Sequence, residues 1–423
     1  METVDILLKN ANELITLKGS NSARKKEEMG DLSIIKNGYM AVKDSKIVDV
    51  GKNLDYNAKK IIDASGKVVM PGFVDPHTHV VFAGSREFEL DMKLRGLSYM
   101  DILKKGGGIF YTVNETRKAT EKNLLRQSKN RLDSMLVHGT TTCEAKSGYG
   151  LNTNTELKIL KIQNKLNENH KMDIVSTFLG AHAIPKEHSA DEYVDIVIDE
   201  MIPKMKGLAR FCDVFCEKGV FTVEQSRRIL ESGKRFGLTP KIHADEIVDT
   251  GGASLAAEVG AISADHLLMS SDKGLKEMAN KDVIGVLLPG TPFSLMQDTY
   301  APARKMIKLG VPVALATDLN PNCWTENMQF IIQLACLNMK MTPAEAITAA
   351  TFNAACALEL NDTIGSLEKG KQANIIILDC PNHKFIPYHF GVNLVKTVIK
   401  TEELFNSFVF LTSARRLRKY KYR

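Results

Sequence analysis

PGFVDPHTH, residues 71–79, joins a Pro-Gly turn, a short apolar run and two histidines one residue apart. The apolar run reads as a β-strand closed by His77-Thr78-His79. On extended backbone, side chains two positions apart share a face, so both imidazoles can reach one ion placed beyond the strand end. Seven further runs of the same texture follow: TTTCEAK (140–146), IVSTFLGAH (174–182), DVFCE (213–217), KIHADE (241–246), ISADHLL (262–268), VIGVLLPG (283–290) and PVALATD (312–318). Amphipathic stretches separate them. TVEQSRRILESGKRFG (222–237) carries a capping box at Thr222 and Gln225 with Gly237 suited to the C-terminal turn, and TPAEAITAAT (342–351) repeats the device with Thr342, Pro343 and Glu345.

Eight strands alternating with helices over roughly 250 residues predict a closed (β/α)8 barrel, with functional groups at the C-terminal ends of the strands. An open doubly wound sheet is the alternative. The phosphate cradle typical of that fold is missing: KKGGGIF (104–110) is glycine-rich but lacks a strand-to-helix frame, and is expected to be a mobile loop. Residues 1–67 alternate short apolar runs with turn residues and predict small antiparallel strands. The texture returns at GSLEKGKQANIIILD (365–379) and LVKTVIK (394–400), so the two chain ends are expected to build one small β-sandwich domain. The expected divisions are 1–67 and 365–405 for that domain, 68–364 for the barrel, and 406–423 as a basic tail in which SFVFL is a possible last strand.

Composition narrows the function classes. At 423 residues, with hydrophobic residues at 44% and charged at 25%, the chain is long enough for a large buried core and matches globular usage. No stretch approaches eighteen uninterrupted apolar residues, so a membrane span is not expected. The net charge of +6 comes from RRLRKYKYR (415–423), which holds six cations, leaving 50 positive against 50 negative charges elsewhere. An electroneutral body gives no reason to expect a nucleic-acid partner. Seven scattered cysteines without paired spacing, and an opening segment without a cationic leader, predict a cytoplasmic protein.

The ends of the eight runs carry the chemistry. His77 and His79 close the first, His243 lies in the fifth, His266 in the sixth, and Asp318 ends the eighth. A barrel brings these termini to one rim, and neutral nitrogens with one carboxylate oxygen are a donor set that zinc prefers and iron accepts.

PGFVDPHTH, HADE (243–246), ADH (264–266) and ATD (316–318), in this order, resemble the metal-dependent amidohydrolase superfamily. GSLEKGKQANIIILD is similar to the C-terminal strand pair of its small β-domain. SREFE (85–89), KSGYGL (146–151), LGAHAIP (179–185), CEKGVF (216–221) and ATDLNPN (316–322) resemble its imidazolonepropionase family. That resemblance implies hydrolysis of the ring amide of 4-imidazolone-5-propanoate to N-formimidoyl-L-glutamate, with one zinc or iron ion per chain. It implies metal ligation by His77, His79, His243 and Asp318, and substrate contacts from Arg86, Tyr149, His182 and Glu246. Asn320, Asn322 and Cys323 would contact product, although a common bacterial form carries a small Gly-Ser-type pair in place of the last two.

The chemistry then assigns roles. Asp318 is suited to take a proton from water, His266 to hydrogen-bond the developing oxyanion, and Glu246, three residues beyond His243, to carry a proton to the leaving ring nitrogen. Arg86 offers a two-pronged donor for a carboxylate tail. A second metal bridged by Glu217 or Lys218 is the alternative centre. A purine or pyrimidine deaminase, which pairs the same histidine and glutamate, is the alternative function, and a catalytically silent scaffold is the alternative class. The expected partner is a small molecule with a carboxylate tail, and the expected assembly is a homodimer.

Overall fold

The computed structural model describes residues 3–97, 99–401 and 403–406. A long strand, β1 (Thr3–Ile15), organises a mixed sheet with β2 (Ile34–Lys43), β3 (Lys46–Gly51), β4 (Asn57–Asp63) and β5 (Val68–Pro71). The expected antiparallel pairing holds for β1–β2 and β2–β3, where Asp44 and Ser45, both at positive φ, make the two-residue hairpin turn. It fails for β4 and β5, which run parallel to β1. Asn10, at a φ of 60°, lies in a bulge of the β1–β2 ladder between Leu8 and Ala11, and the opposite edge of β1 takes both parallel strands. β4 pairs with the first half of that edge and β5 with the second.

The barrel follows directly. Its parallel strands are β6 (Phe73–Asp75), β7 (Thr140–Lys146), β8 (Asp173–Ala181), β9 (Phe211–Cys216), β10 (Thr239–Ala244), β11 (Ser263–His266), β12 (Ile284–Leu287) and β13 (Val313–Leu315), paired in sequence order. All eight expected runs are strands. The ring closes beyond the strand ends, where Asp318 N–H donates to His77 O at 3.1 Å and His79 N–H to Leu319 O at 2.8 Å. Closure therefore places the first-strand histidines against the eighth-strand aspartate.

Both predicted capping boxes form, at Thr222–Gln225 and Thr342–Glu345, and Gly237 takes a positive φ of 82°. The glycine-rich 104–110 segment is a loop at its centre, as expected, with helical residues at both ends. It turns tightly between the helices Tyr99–Lys104 and Ile109–Lys118, and Gly108 N–H donates to Glu89 Oε1 at 2.7 Å. After the barrel, β14 (Ile375–Leu378) pairs antiparallel with β5, and β15 (Val395–Lys400) and β16 (Glu403–Asn406) extend the same sheet. The two chain ends thus share one hydrogen-bonded sheet, with Ile6, Leu8, Val69, Ile375 and Ile399 in one buried cluster. Its last described strand is formed by residues 403–406, and SFVFL with the rest of the basic tail lies outside the described residues. Among the described residues no helix is long and apolar enough to cross a membrane.

Candidate metal and substrate site

His77, His79 and His243 each bring a ligating atom to within 4.8 Å of the others, and all three are buried. His77 Nε2, His79 Nδ1 and His243 Nε2 have no hydrogen-bond partner. Buried polar atoms are ordinarily paired, so three clustered rings, each with an orphan nitrogen, fit a cation between them. Asp318 supplies the negative charge: its Oδ1 lies 3.4 Å from His77 Nε2 and 3.8 Å from His79 Nε2, while its Oδ2 accepts from Thr291 Oγ1 at 2.5 Å. Burial drives His79 and His243 well below the ordinary histidine range, which keeps them neutral. Burial and Lys146 act in the same direction on His77, but Asp265 and Asp318 outweigh them and raise it to about 9. Asp265 and Asp318 thus favour positive charge at His77, while His79 and His243 offer neutral nitrogens beside it.

Behind the rings lies a network that sequence reasoning missed. Asp265 Oδ2 is 2.6 Å from His77 Nδ1, and Asp213 Oδ1 is 3.1 Å from His243 Nδ1, so each imidazole is fixed through the nitrogen that faces away from its partners. Lys146 Nζ joins the two carboxylates, at 2.7 Å from Asp213 and 3.2 Å from Asp265, and also contacts Glu144 at 2.8 Å. Lys241 Nζ reaches Glu144 from β10 at 2.5 Å. β7 does not neighbour β10 or β11 in the sheet, so these bonds cross the barrel interior. Removing one member of such a buried set is expected to cost about 3–5 kcal/mol. The available signal was charge at alternate positions in otherwise apolar runs: Glu144 and Lys146, Lys241 and His243.

His266 sits at the end of β11 with a φ of 75°, and Asp318 has a φ of 53°. Non-glycine residues held in the left-handed region cluster at functional sites. The His266 ring centroid is 5.3 Å from that of His243, and its Nδ1 is 3.7 Å from Glu246 Oε1. Burial raises the Glu246 carboxyl above its ordinary value, as does Asp318, against the opposing pull of His266. The loop carrying Glu246 is pinned on both sides. Asp245 accepts from Gly252 N–H at 2.9 Å and Ser270 Oγ at 2.8 Å, and Glu217 accepts from Ile247 N–H at 2.8 Å and Lys218 N–H at 2.9 Å. Glu217, expected as a possible metal bridge, is thus engaged with backbone amides, and Lys218 is exposed.

The remaining expected residues converge unequally. His182 stacks on His79 with centroids 4.9 Å apart, and its Nδ1 is 3.1 Å from Gly148 O. Burial pushes His182 down to about 4. Gly148, at φ +102°, lets the loop pass that ring, since a Cβ there would stand 2.8 Å from His182 Nδ1. The next residue, Tyr149, is buried with its ring 5.5 Å from His79. Arg86 is not a free fork: its Nε and Nη2 donate to Glu89 at 2.7 and 2.8 Å. Asn320 is engaged within its own loop. Its Oδ1 accepts from the amides of Asn322 and Cys323 at 2.7 and 3.0 Å, and its Nδ2 donates to Asp318 O at 2.9 Å, so its side chain staples its own loop. Cys323 is buried, with its thiol 3.5 Å from Thr317 O. Asn322 Oδ1 accepts from Lys93 at 3.1 Å. Arg86, Glu89, Lys93, Glu246 and Asn322 line one cavity of about 950 Å³.

Residues 68–404 match the family model described as the amidohydrolase family. The chain is 54% identical over 412 residues to the imidazolonepropionase of Alkaliphilus metalliredigens, covering 95% of this chain and 98% of that protein. This chain belongs to the imidazolonepropionase family. The family's protein from Geobacillus kaustophilus is likewise 54% identical, over 93% of this chain and 96% of its own length. Among solved structures, an adenosine deaminase from Xanthomonas campestris with bound zinc superposes with a TM-score of 0.71 at 17% identity, covering 99% of this chain and 98% of that one. An atrazine chlorohydrolase from Arthrobacter aurescens complexed with zinc gives 0.71 at 15%, covering 97% and 99%. Those two share the fold of this chain. The family is a metal-dependent one, and the three-histidine group fits that requirement.

Proposed function

We propose that this chain hydrolyses the ring amide of 4-imidazolone-5-propanoate to N-formimidoyl-L-glutamate, a step of histidine degradation. The observation that carries the reading is a single cavity in which Glu246, beside His266 and the histidine cluster, faces the same space as Arg86. That space joins a hydrolytic centre to a carboxylate-binding pole. Identity of 54% to imidazolonepropionases over nearly the full chain supports it.

His77, His79, His243 and Asp318 would hold one ion, zinc or iron, which supplies Lewis acidity that polarises the ring carbonyl and acidifies water. The protein's own groups do the rest. Asp318 Oδ1 takes a proton from the attacking water, while Thr291 holds Oδ2 and fixes the carboxylate plane. His266 donates a hydrogen bond to the oxygen on which negative charge develops. Glu246, raised by burial, carries the proton to the ring nitrogen as the carbon–nitrogen bond breaks. The water oxygen ends on the acyl carbon and the proton on the released nitrogen. His182 and Tyr149 wall the ring, and Arg86 faces the tail carboxylate. Asn322 and Cys323 border the product side, with Asn320 shaping their loop rather than touching product by its side chain.

The engagement of Glu217 with backbone amides supports one ion rather than two. A nucleobase deaminase could use the same His243–Glu246 pair, but a nucleobase has no carboxylate to meet a cationic pole. Seven unpaired cysteines support residence in the cytoplasm. The test is loss of imidazolone-propanoate absorbance with the purified protein, with elemental analysis on the same sample. Turnover with about one metal per chain is expected; a metal-loaded protein inert to this substrate overturns the reading.

A further inference from the structure

The cationic pole of the cavity is not what Arg86 alone would make it. Burial would push the Glu89 carboxyl up, but the hydrogen bonds from Arg86 and Gly108 N–H outweigh it and hold Glu89 below its ordinary value, so Glu89 stays charged. Its two oxygens take Nε and Nη2 of Arg86 in a bidentate pair, with both side chains nearly buried. Arg86 and Glu89 together therefore carry no net charge. For a substrate carboxylate meeting this pair alone, repulsion from Glu89 would offset a large part of the attraction of Arg86.

Lys93 changes the balance. It lies one turn further along the same helix, Glu87–Leu94, and lines the same cavity. Among the described residues it forms no ion pair, and its ammonium donates to a neutral acceptor, Asn322 Oδ1, at 3.1 Å. It is half-buried, and that burial lowers it from the ordinary lysine value against the opposing pull of Glu89. Removal from water makes its charge costly, a cost that an anion in the cavity would relieve. Two further acids near this end, Glu87 and Asp298, are exposed, where solvent screens them, and the remaining acid lining the cavity, Glu246, belongs to its hydrolytic side.

We propose that Lys93 is a specificity-determining residue: it supplies the net positive charge that selects a carboxylate-bearing substrate, Arg86 orients that carboxylate through its remaining donors, and Asn322 tethers the lysine between turnovers. The inference rests on the hydrolytic reading above and deepens it. The long, flexible lysine suits the task because its ammonium can leave Asn322 and turn to the ligand without disturbing the Arg86–Glu89 pair.

The test compares the parent with Lys93→Met, Lys93→Arg and Asn322→Ala, each with metal content and melting temperature measured. Two substrates are used: 4-imidazolone-5-propanoate and its propanamide analogue, which lacks the carboxylate. Lys93→Met is expected to raise KM for the propanoate about tenfold or more, with kcat within about threefold, and to leave the propanamide unchanged. Lys93→Arg should restore most of the loss, and Asn322→Ala should change KM less than Lys93→Met because the cation remains. Raising ionic strength should increase the parent's KM for the propanoate more than that of Lys93→Met. Equal KM values for parent and Lys93→Met on the propanoate would overturn the proposal while leaving the hydrolytic reading intact. A parent inert to the propanoate would remove both. A matched loss on propanoate and propanamide would also overturn it, because a merely structural role would not distinguish the two.

Discussion

The two ends of the cavity are built in opposite ways. At the proposed hydrolytic end the groups sit at or just past barrel strands, His77, His79, His243, His266 and Asp318 are buried, and His77 and His243 are held from behind by Asp265 and Asp213, which Lys146 joins. At the carboxylate end Arg86, Glu89 and Lys93 belong to an excursion of more than sixty residues between β6 and β7, and Asn322 to the loop after β13. Polarising an amide and placing a proton needs groups fixed to a fraction of an ångström, which a closed sheet provides. Reading a carboxylate needs net charge and reach, which a short helix with long side chains provides at less structural cost.

That contrast can be broken or sharpened by mutation. The largest effect is expected at the strand ends: His77→Ala or Asp318→Ala should remove bound metal and lower turnover by about 10³-fold or more, read by elemental analysis beside kinetics. Retained activity without those side chains would mean that the cluster is not the reacting centre. Next, Glu246→Gln keeps shape but loses the titratable group, and kcat should fall by about 10²–10⁴-fold with metal retained. Parent-like turnover in that variant would remove Glu246 from the proton path. Smaller still, Asp265→Asn should weaken metal affinity by about 10–100-fold, measured by competition with a chelator, because it loosens the orientation of His77 without touching the ligating nitrogen. Unchanged affinity would show that the buried network is scaffolding alone. The loop end should respond differently to all three of these changes, with its preference for the carboxylate over the propanamide preserved in whatever activity remains.

Much of this was legible in the chain. Eight apolar runs separated by capped amphipathic segments specified the barrel, because strand and helix periodicities and caps are local properties of backbone and near neighbours. The H-x-H pair and the positions of His243, His266 and Asp318 at run ends specified where an ion would sit, since the barrel rule gathers strand ends wherever they fall in sequence. The parallel attachment of β4 and β5 to β1 was not legible. Alternation marks a strand but neither its partner nor its direction, and only the packed sheet shows β4 and β5 following each other along one edge of β1.

Partnerships were decided only by the tertiary structure. That Asp265 backs His77 across 188 positions, that Arg86 is already paired with Glu89, that Asn320 staples its own loop and that Lys93 is left to face the cavity all depend on which side chains packing brings together. A sequence says which residues can carry charge, but the net charge of a site is a sum over neighbours. Those neighbours are assigned by the closure of the barrel and the course of its loops.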